Sequence, residues 1–254
     1  MSVERATTVR SVLDLLAQRY GSGAGGREVP PEADGVVRAM PVVLRIERDP
    51  VPARTDLLEA AAMAAVALCL DPRAQEGGEW GAPVRTWVEG RIRKIARRAR
   101  GAHWRAVQEL PGVTVSVGDA QARALLPGPV DEVPKAVSRL QIGGTELAPD
   151  APGEPPAGTP LVLLNPRVEM TVGKAAAQVG HATMILAAVR GWPVADPADV
   201  PRCAVRTPAP EVWDRLRAGL RSGEPGLVGV RDAGFTEVEP GTVTCLATEA
   251  PGSP

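Results

Sequence analysis

Aromatic residues are scarce in this chain, at 3% of 254 residues, with one Phe and one Tyr. A core must therefore be assembled mainly from Ala, Val, Leu and Ile, and frequent Pro and Gly cut the sequence into short elements, as in a mixed α/β protein. Cysteine is sparse too. Cys69, Cys203 and Cys245 form an odd, widely spaced set without a Cys-x-x-Cys pair, which argues against a disulfide framework or a zinc site and fits a reducing, cytoplasmic setting. Long apolar runs are missing: the longest, residues 60–70, is far short of the roughly 20 residues needed to cross a bilayer. The first ten residues carry Glu4 and no apolar stretch of the secretory type, so neither a membrane partner nor a leader is expected.

Lysine is the rarest of the common charges. Only Lys94, Lys135 and Lys174 stand among 29 basic residues, and His103 and His181 are the two histidines. One of each falls in "MTVGKAAAQVGHATM", residues 170–184. If this stretch is helical, Lys174, Gln178 and His181 lie at i, i+4 and i+7, in one stripe of one face. A lysine differs from an arginine in being compact and in having a pKa that burial can lower. The helix start, residues 171–173, offers backbone N–H groups and a positive dipole end suited to phosphate or an oxyanion. A plain solvated stripe on an amphipathic helix accounts for the spacing equally well.

Two Pro/Gly-rich stretches divide the chain. The expected organisation is a helix and flexible lead-in over 1–37, a domain over 38–147, a linker over 148–160 and a second domain over 161–250. The second domain reads β-α-β-α-β-β, which predicts a small mixed sheet of four strands with flanking helices and right-handed crossovers. The first half repeats the strand and Ala-rich helix. Placing Val42 on Leu161 puts Thr55 on Lys174, Glu59 on Gln178 and Ala62 on His181. "ALLPGPVDEVPKAVSRL" (124–140) aligns loosely with "AVRTPAPEVWDRLRAGL" (204–220). A degenerate internal duplication is the expectation, with the polar set absent from the first copy.

Late in the chain, "DAGFTEVEPGTVT" places Asp232 and Thr236 about a Gly turn at a strand end, where crevice-lining residues of α/β sheets collect. A carboxylate beside a lysine and a hydroxyl can position and deprotonate water while the ammonium holds an oxyanion. An Asp capping an ordinary turn explains the same residues.

Taken together, "GKAAAQVGHA" (173–182), "DAGFT" (232–236) and "PGTVT" (240–244) resemble the type II peptidyl-tRNA hydrolases in motif order and spacing. The resemblance covers residues 160–250. It implies a four-stranded mixed sheet with flanking helices, and hydrolysis of the ester between a peptide and tRNA without metal or cofactor. It also implies a usual homodimer, and it matches Lys174, Asp232 and Thr236, with Gln178 and His181, to the family's functional positions. The chain departs from the family pattern at Glu169 and Val172, where further lysines are usual, and at Phe235 and Glu237, where an Arg and a Gln are.

Positive charge instead concentrates in the first half. "RTWVEGRIRKIARRARGAHWR", residues 85–105, holds a dense basic set with Glu89 as its one acid. Read as a helix, it gathers Arg91, Arg93, Lys94, Arg97 and Arg98 into a broad stripe suited to phosphates, with Trp87 and Trp104 either stacking on bases or anchoring the helix. The expected partner is tRNA. In this reading a catalytic second half and a gripping first half form an intramolecular pseudo-dimer, or homodimerise. A non-catalytic tRNA- or RNA-binding protein that retains the fold, and a hydrolase of another ester or amide, are the alternatives.

Overall fold

The computed structural model describes residues 11–20, 32, 34–233 and 237–249. The first half runs α1 (Asp14–Tyr20), β1 (Arg38–Arg45), α2 (Arg54–Leu70), a 3-10 turn at Pro72–Ala74, α3 (Gly81–Glu89), β2 (Lys94–Ala99), α4 (Gly101–Gln108), β3 (Gly112–Val117), β4 (Ala120–Leu125), β5 (Gly128–Pro129) and α5 (Lys135–Ser138). The second half runs β6 (Leu161–Leu164), α6 (Val172–Arg190), β7 (Ala204–Arg206), α7 (Pro210–Ser222), β8 (Leu227–Arg231) and β9 (Val243–Thr248). The fold is mixed α/β, with a small mixed sheet in each half.

The two sheets have the same plan. In the first, β1 pairs parallel with β2 and antiparallel with β4, and β3 lies outside β4, giving β2-β1-β4-β3. In the second, β6 pairs parallel with β7 and antiparallel with β9, and β8 lies outside β9, giving β7-β6-β9-β8. The short β5 adds antiparallel to the start of β1.

This pairing corrects two expectations. Residues 85–105 are not one helix: they contain the end of α3, the strand β2 and most of α4. Alternate residues decide it. Lys94, Ala96 and Ala99 are buried while Ile95, Arg97 and Arg98 are only partly so, close to the period-2 burial of a strand, and the basic run conceals it because arginine stems tolerate partial burial. Nor does 124–140 correspond to 204–220. Ala124 and Leu125 belong to β4, antiparallel to β1, so the counterpart of β7 is β2, reached by the crossover through α2 and α3.

Period-2 alternation sends side chains to both faces of each sheet. Val42 and Leu44, with Val162 and Leu164, point into one shared apolar core that also holds α2 and α6. Val43 and Leu125 face outward beneath Trp104 and Val107 of α4, and Leu163 and Leu246 face outward beneath Trp213 and Leu220 of α7. The helices α2 and α6 are apolar almost all round, as helices buried on every side must be. They pack against each other between the sheets, and each touches the edge strand of the opposite sheet, α2 on β7 and α6 on β2. The halves are thus two sheets around one core.

The predicted N-terminal helix is present as α1, with Leu13 and Leu16 buried in the shared core. Arg19 donates to the carbonyls of Val88, Glu89 and Gly90 at the end of α3, a cation placed at a helix C-terminus. The lead-in at 21–31 lies outside the described residues. Residues 146–160 carry no helix or strand, yet Asp150 there accepts from Thr55 N (2.8 Å) and Thr55 Oγ1 (2.6 Å) at the start of α2.

Candidate active site

A cleft of about 720 Å³ opens between the two halves. Its floor is α6, one wall is the end of β8 with the turn after it, and the other wall is the segment leading into β2. Lys174, Gln178 and His181 line it, as their helical spacing predicts, together with Asp232. Thr236 and Phe235 lie outside the described residues.

The polar cluster is built from three elements. Asp232 follows β8, where its backbone N–H donates to Thr242 O (2.9 Å) and its carbonyl accepts from Gly241 N (2.7 Å), closing the turn. Its carboxylate Oδ2 accepts from the Lys174 ammonium and from Gln178 Nε2 at 2.7 Å. Gln178, 4% exposed, is held by Thr244 of β9, whose hydroxyl donates to Gln178 Oε1 at 2.7 Å. With both ends of the amide engaged, its orientation is fixed. The pairing of Lys174 and Asp232, at 11% and 7% side-chain exposure, is screened little by solvent. Thr244 closes the "PGTVT" motif, but no local signal in the sequence marks it as a site residue; its part depends on β8 and β9 lying side by side over α6.

The start of α6 is less open than its position in sequence suggests. Thr171 caps Lys174 N through its Oγ1 (3.1 Å). The N–H and hydroxyl of Thr171 donate to Glu237 (2.9 and 2.7 Å), and Gly173 N donates to Thr145 Oγ1 (3.0 Å). The N–H groups of Thr171 and Gly173, expected to await an anion, are therefore occupied. Two departures from the family pattern gain a physical role here: Glu237 clasps the helix start, and Val172, 2% exposed, joins the core. Glu169 is exposed.

From the first half, Arg91, Arg93 and Lys94 line the opposite wall. Arg93 pairs with Glu32. Arg97 and Arg98 do not line the cleft; Arg97 donates to Leu140 O (2.9 Å) and Arg98 to Gln141 Oε1 through its Nε (2.9 Å). Trp87 and Trp104, 1% and 6% exposed, anchor α3 and α4 to the core and do not present faces for bases. Lys94 departs most from the expected outward stripe. It is 9% exposed, and its Nζ sits 3.2 Å from His181 Nδ1 and 5.1 Å from the Trp87 ring centre. Burial pulls its pKa down to about 7. Desolvation, then the Lys94 and Lys174 charges, hold His181 well below the ordinary histidine range.

In α2, the aligned positions are closed over. Thr55 is held by Asp150, and Glu59 accepts from Arg206 Nη1 (2.8 Å) and Val205 N (3.0 Å) of the edge strand β7. No second polar cluster like that of α6 forms there among the described residues.

Comparison with known proteins places the resemblance on the second half. The family model described as peptidyl-tRNA hydrolase PTH2 matches residues 160–253. The peptidyl-tRNA hydrolase of Methanopyrus kandleri is 35% identical over an alignment of 95 residues that covers 34% of this chain and 78% of that protein. No solved structure gives a significant match. The 159 residues before the match contribute one wall of the cleft from outside it.

Proposed function

The chain belongs to the type II peptidyl-tRNA hydrolase family, and from that premise we propose that its cleft hydrolyses the ester between a peptide, or an N-blocked amino acid, and the terminal ribose of tRNA. The observation that carries this reading is the Asp232 carboxylate held by Lys174 and Gln178 at the floor of an open cleft. In this reading Asp232 orients and deprotonates a water, which adds to the ester carbonyl carbon. The Lys174 ammonium holds the oxyanion that forms. The carbon–oxygen bond to the ribose then breaks, the ribose oxygen takes a proton, and the products are a peptide carboxylate and tRNA with a free hydroxyl. Thr236 is assigned to the same centre on its motif.

Arg91 and Arg93 on the cleft wall, with Arg97 and Arg98 further along the same edge, are assigned to tRNA phosphates. Since both sheets share one strand order, the first half is read as a degenerate copy that grips while the second cleaves, as an intramolecular pseudo-dimer. The test is cleavage of an N-blocked aminoacyl-tRNA by the full chain, beside Lys174→Ala and Asp232→Ala. A loss of about a hundredfold or more in both variants, the scale of an acid–base group, is expected. Binding of tRNA without cleavage by the wild type would make the chain a non-catalytic tRNA-binding protein instead.

A further inference from the structure

Lys94 is a buried cation on a strand that contributes no other side chain to the polar cluster. Three observations point to what it does there. The first is how it arrives. Ile92, two residues earlier, is β-branched, 3% exposed and at φ +44°, a left-handed conformation that strains such a residue. The strain persists where the chain turns into β2 and carries Lys94 towards α6. The second is how it is received. The α6 backbone at Gly180 bears no side chain, and a Cβ there would lie 3.2 Å from Cδ and from Cε of Lys94. The lysine stem crosses the helix at that bare position.

The third observation is where the ammonium ends. Below its pKa of about 7 Lys94 is an ammonium with three donors and no acceptor, so its contact with His181 Nδ1 then requires that nitrogen to accept and places the ring hydrogen on Nε2. His181 lines the cleft, and its Nε2 has no hydrogen-bond partner among the described residues. We infer that Lys94, supplied by the first half, is a positioning residue of the hydrolytic centre: it fixes His181 as a neutral imidazole whose Nε2–H faces the cleft as a donor to an acyl oxygen of the substrate.

The surrounding charges agree with that assignment. The charge of Lys174 on α6, itself engaged by Asp232, acts on His181. Cys69 on α2 acts on Lys94 and stays a neutral thiol, its pKa pushed up to about 12 by burial. Arg91 and Arg93 flank Lys94 on its own segment. The charges of Lys94 and Lys174 oppose protonation of the imidazole and keep it a neutral donor. The first half thereby completes the site and does more than grip tRNA. This inference rests on the hydrolase reading, and its test separates the two.

With only two histidines in the chain, ring nitrogen NMR of the full-length protein resolves His181 from the exposed His103. At pH 6 the wild type is expected to show His181 neutral and as the Nε2–H tautomer alone. Lys94→Met keeps the unbranched stem across Gly180 and removes the amine; His181 should then titrate at higher pH and lose its single tautomer. The same variant should lower kcat on N-blocked aminoacyl-tRNA by about tenfold or more with little change in KM, and should cost nothing further in a His181→Ala background. Unchanged His181 signals in Lys94→Met, or additive losses in the double variant, would overturn the inference. If the wild type fails to cleave, the hydrolase reading falls alone. A non-hydrolysable 3′-amide analogue of N-acetylaminoacyl adenosine then decides: a His181 ring shift on binding that Lys94→Met abolishes supports the positioning role, and no shift overturns it.

Discussion

Gly180 of α6 lies directly against the Lys94 stem of β2, across the boundary between the two halves of the molecule. A Cβ on Gly180 would stand 3.1 Å from Ala65 Cβ on α2 and 3.2 Å from the Lys94 stem, so any side chain there would force α2 or Lys94 to give way. Gly180→Leu should therefore destabilise the fold by about 1–3 kcal/mol, the range for overpacking a closed core. It should also lower hydrolysis by displacing Lys94. Urea denaturation and initial rates on the same protein would check both.

Gln178→Glu places a second carboxylate beside Asp232, where an amide now donates at 2.7 Å. Two carboxylates at that separation cannot both ionise easily, so the pair retains a proton to higher pH. The expected outcome is a loss of about tenfold or more in kcat at neutral pH, with the acid limb of the pH–rate profile moved upward. A profile that keeps its shape would show that Asp232 does not titrate in the reaction.

Stability should also follow the Lys94 proton. Its pKa is about 7 in the folded chain against about 10.4 when unfolded. Between these values the unfolded state binds more protons, so stability rises with pH across that window, by on the order of 1 kcal/mol per pH unit. Below pH 7 both states carry the charge and the full cost of burying it remains. Lys94→Met removes that cost. Thermal or urea unfolding should find the variant more stable than the wild type at pH 7, with the gap narrowing towards pH 10.

Thr145 is 1% exposed and accepts from Gly173 N at the first turn of α6. Thr145→Val leaves that N–H buried without an acceptor, which should cost about 1–2 kcal/mol. Because the segment around Thr145 belongs to the first half, amide exchange at the start of α6 should quicken in the variant while α7 stays protected.

Binding of tRNA should weaken with salt if arginines carry it. Replacing Arg97 and Arg98 with Gln together should reduce the slope of log K against log salt by about 0.7–0.9 for each phosphate that is no longer neutralised. An unchanged slope would remove these two residues from the tRNA surface. Both side chains already hold the 140–141 turn, so a small loss of stability should accompany the change.

The second half is legible in the sequence because its signals are local. A 3.6-residue period places Lys174, Gln178 and His181 on one stripe, an Asp-Ala-Gly motif follows the β8 segment in sequence, and short apolar runs mark β6 to β9. The strand β2 is not legible. Its arginines mask the period of two, and what makes it a strand is parallel pairing with β1 across the crossover formed by residues 46–93, which leaves no local trace. The loose alignment of 124–140 with 204–220 fails for the same reason: local composition matches while the pairing partner differs.

The sequence by itself determined the elements of the second half, the helical stripe and the family, since each depends on residues a few positions apart or on motifs in fixed order. The tertiary structure alone decided that α2 and α6 would share one core between two sheets. It also decided that Glu237 and Thr145 would occupy the N–H groups at the start of α6, and that Lys94 would cross Gly180 to reach His181. Those contacts join residues dozens of positions apart. Their chemistry follows from burial and distance, which exist only once the halves have packed.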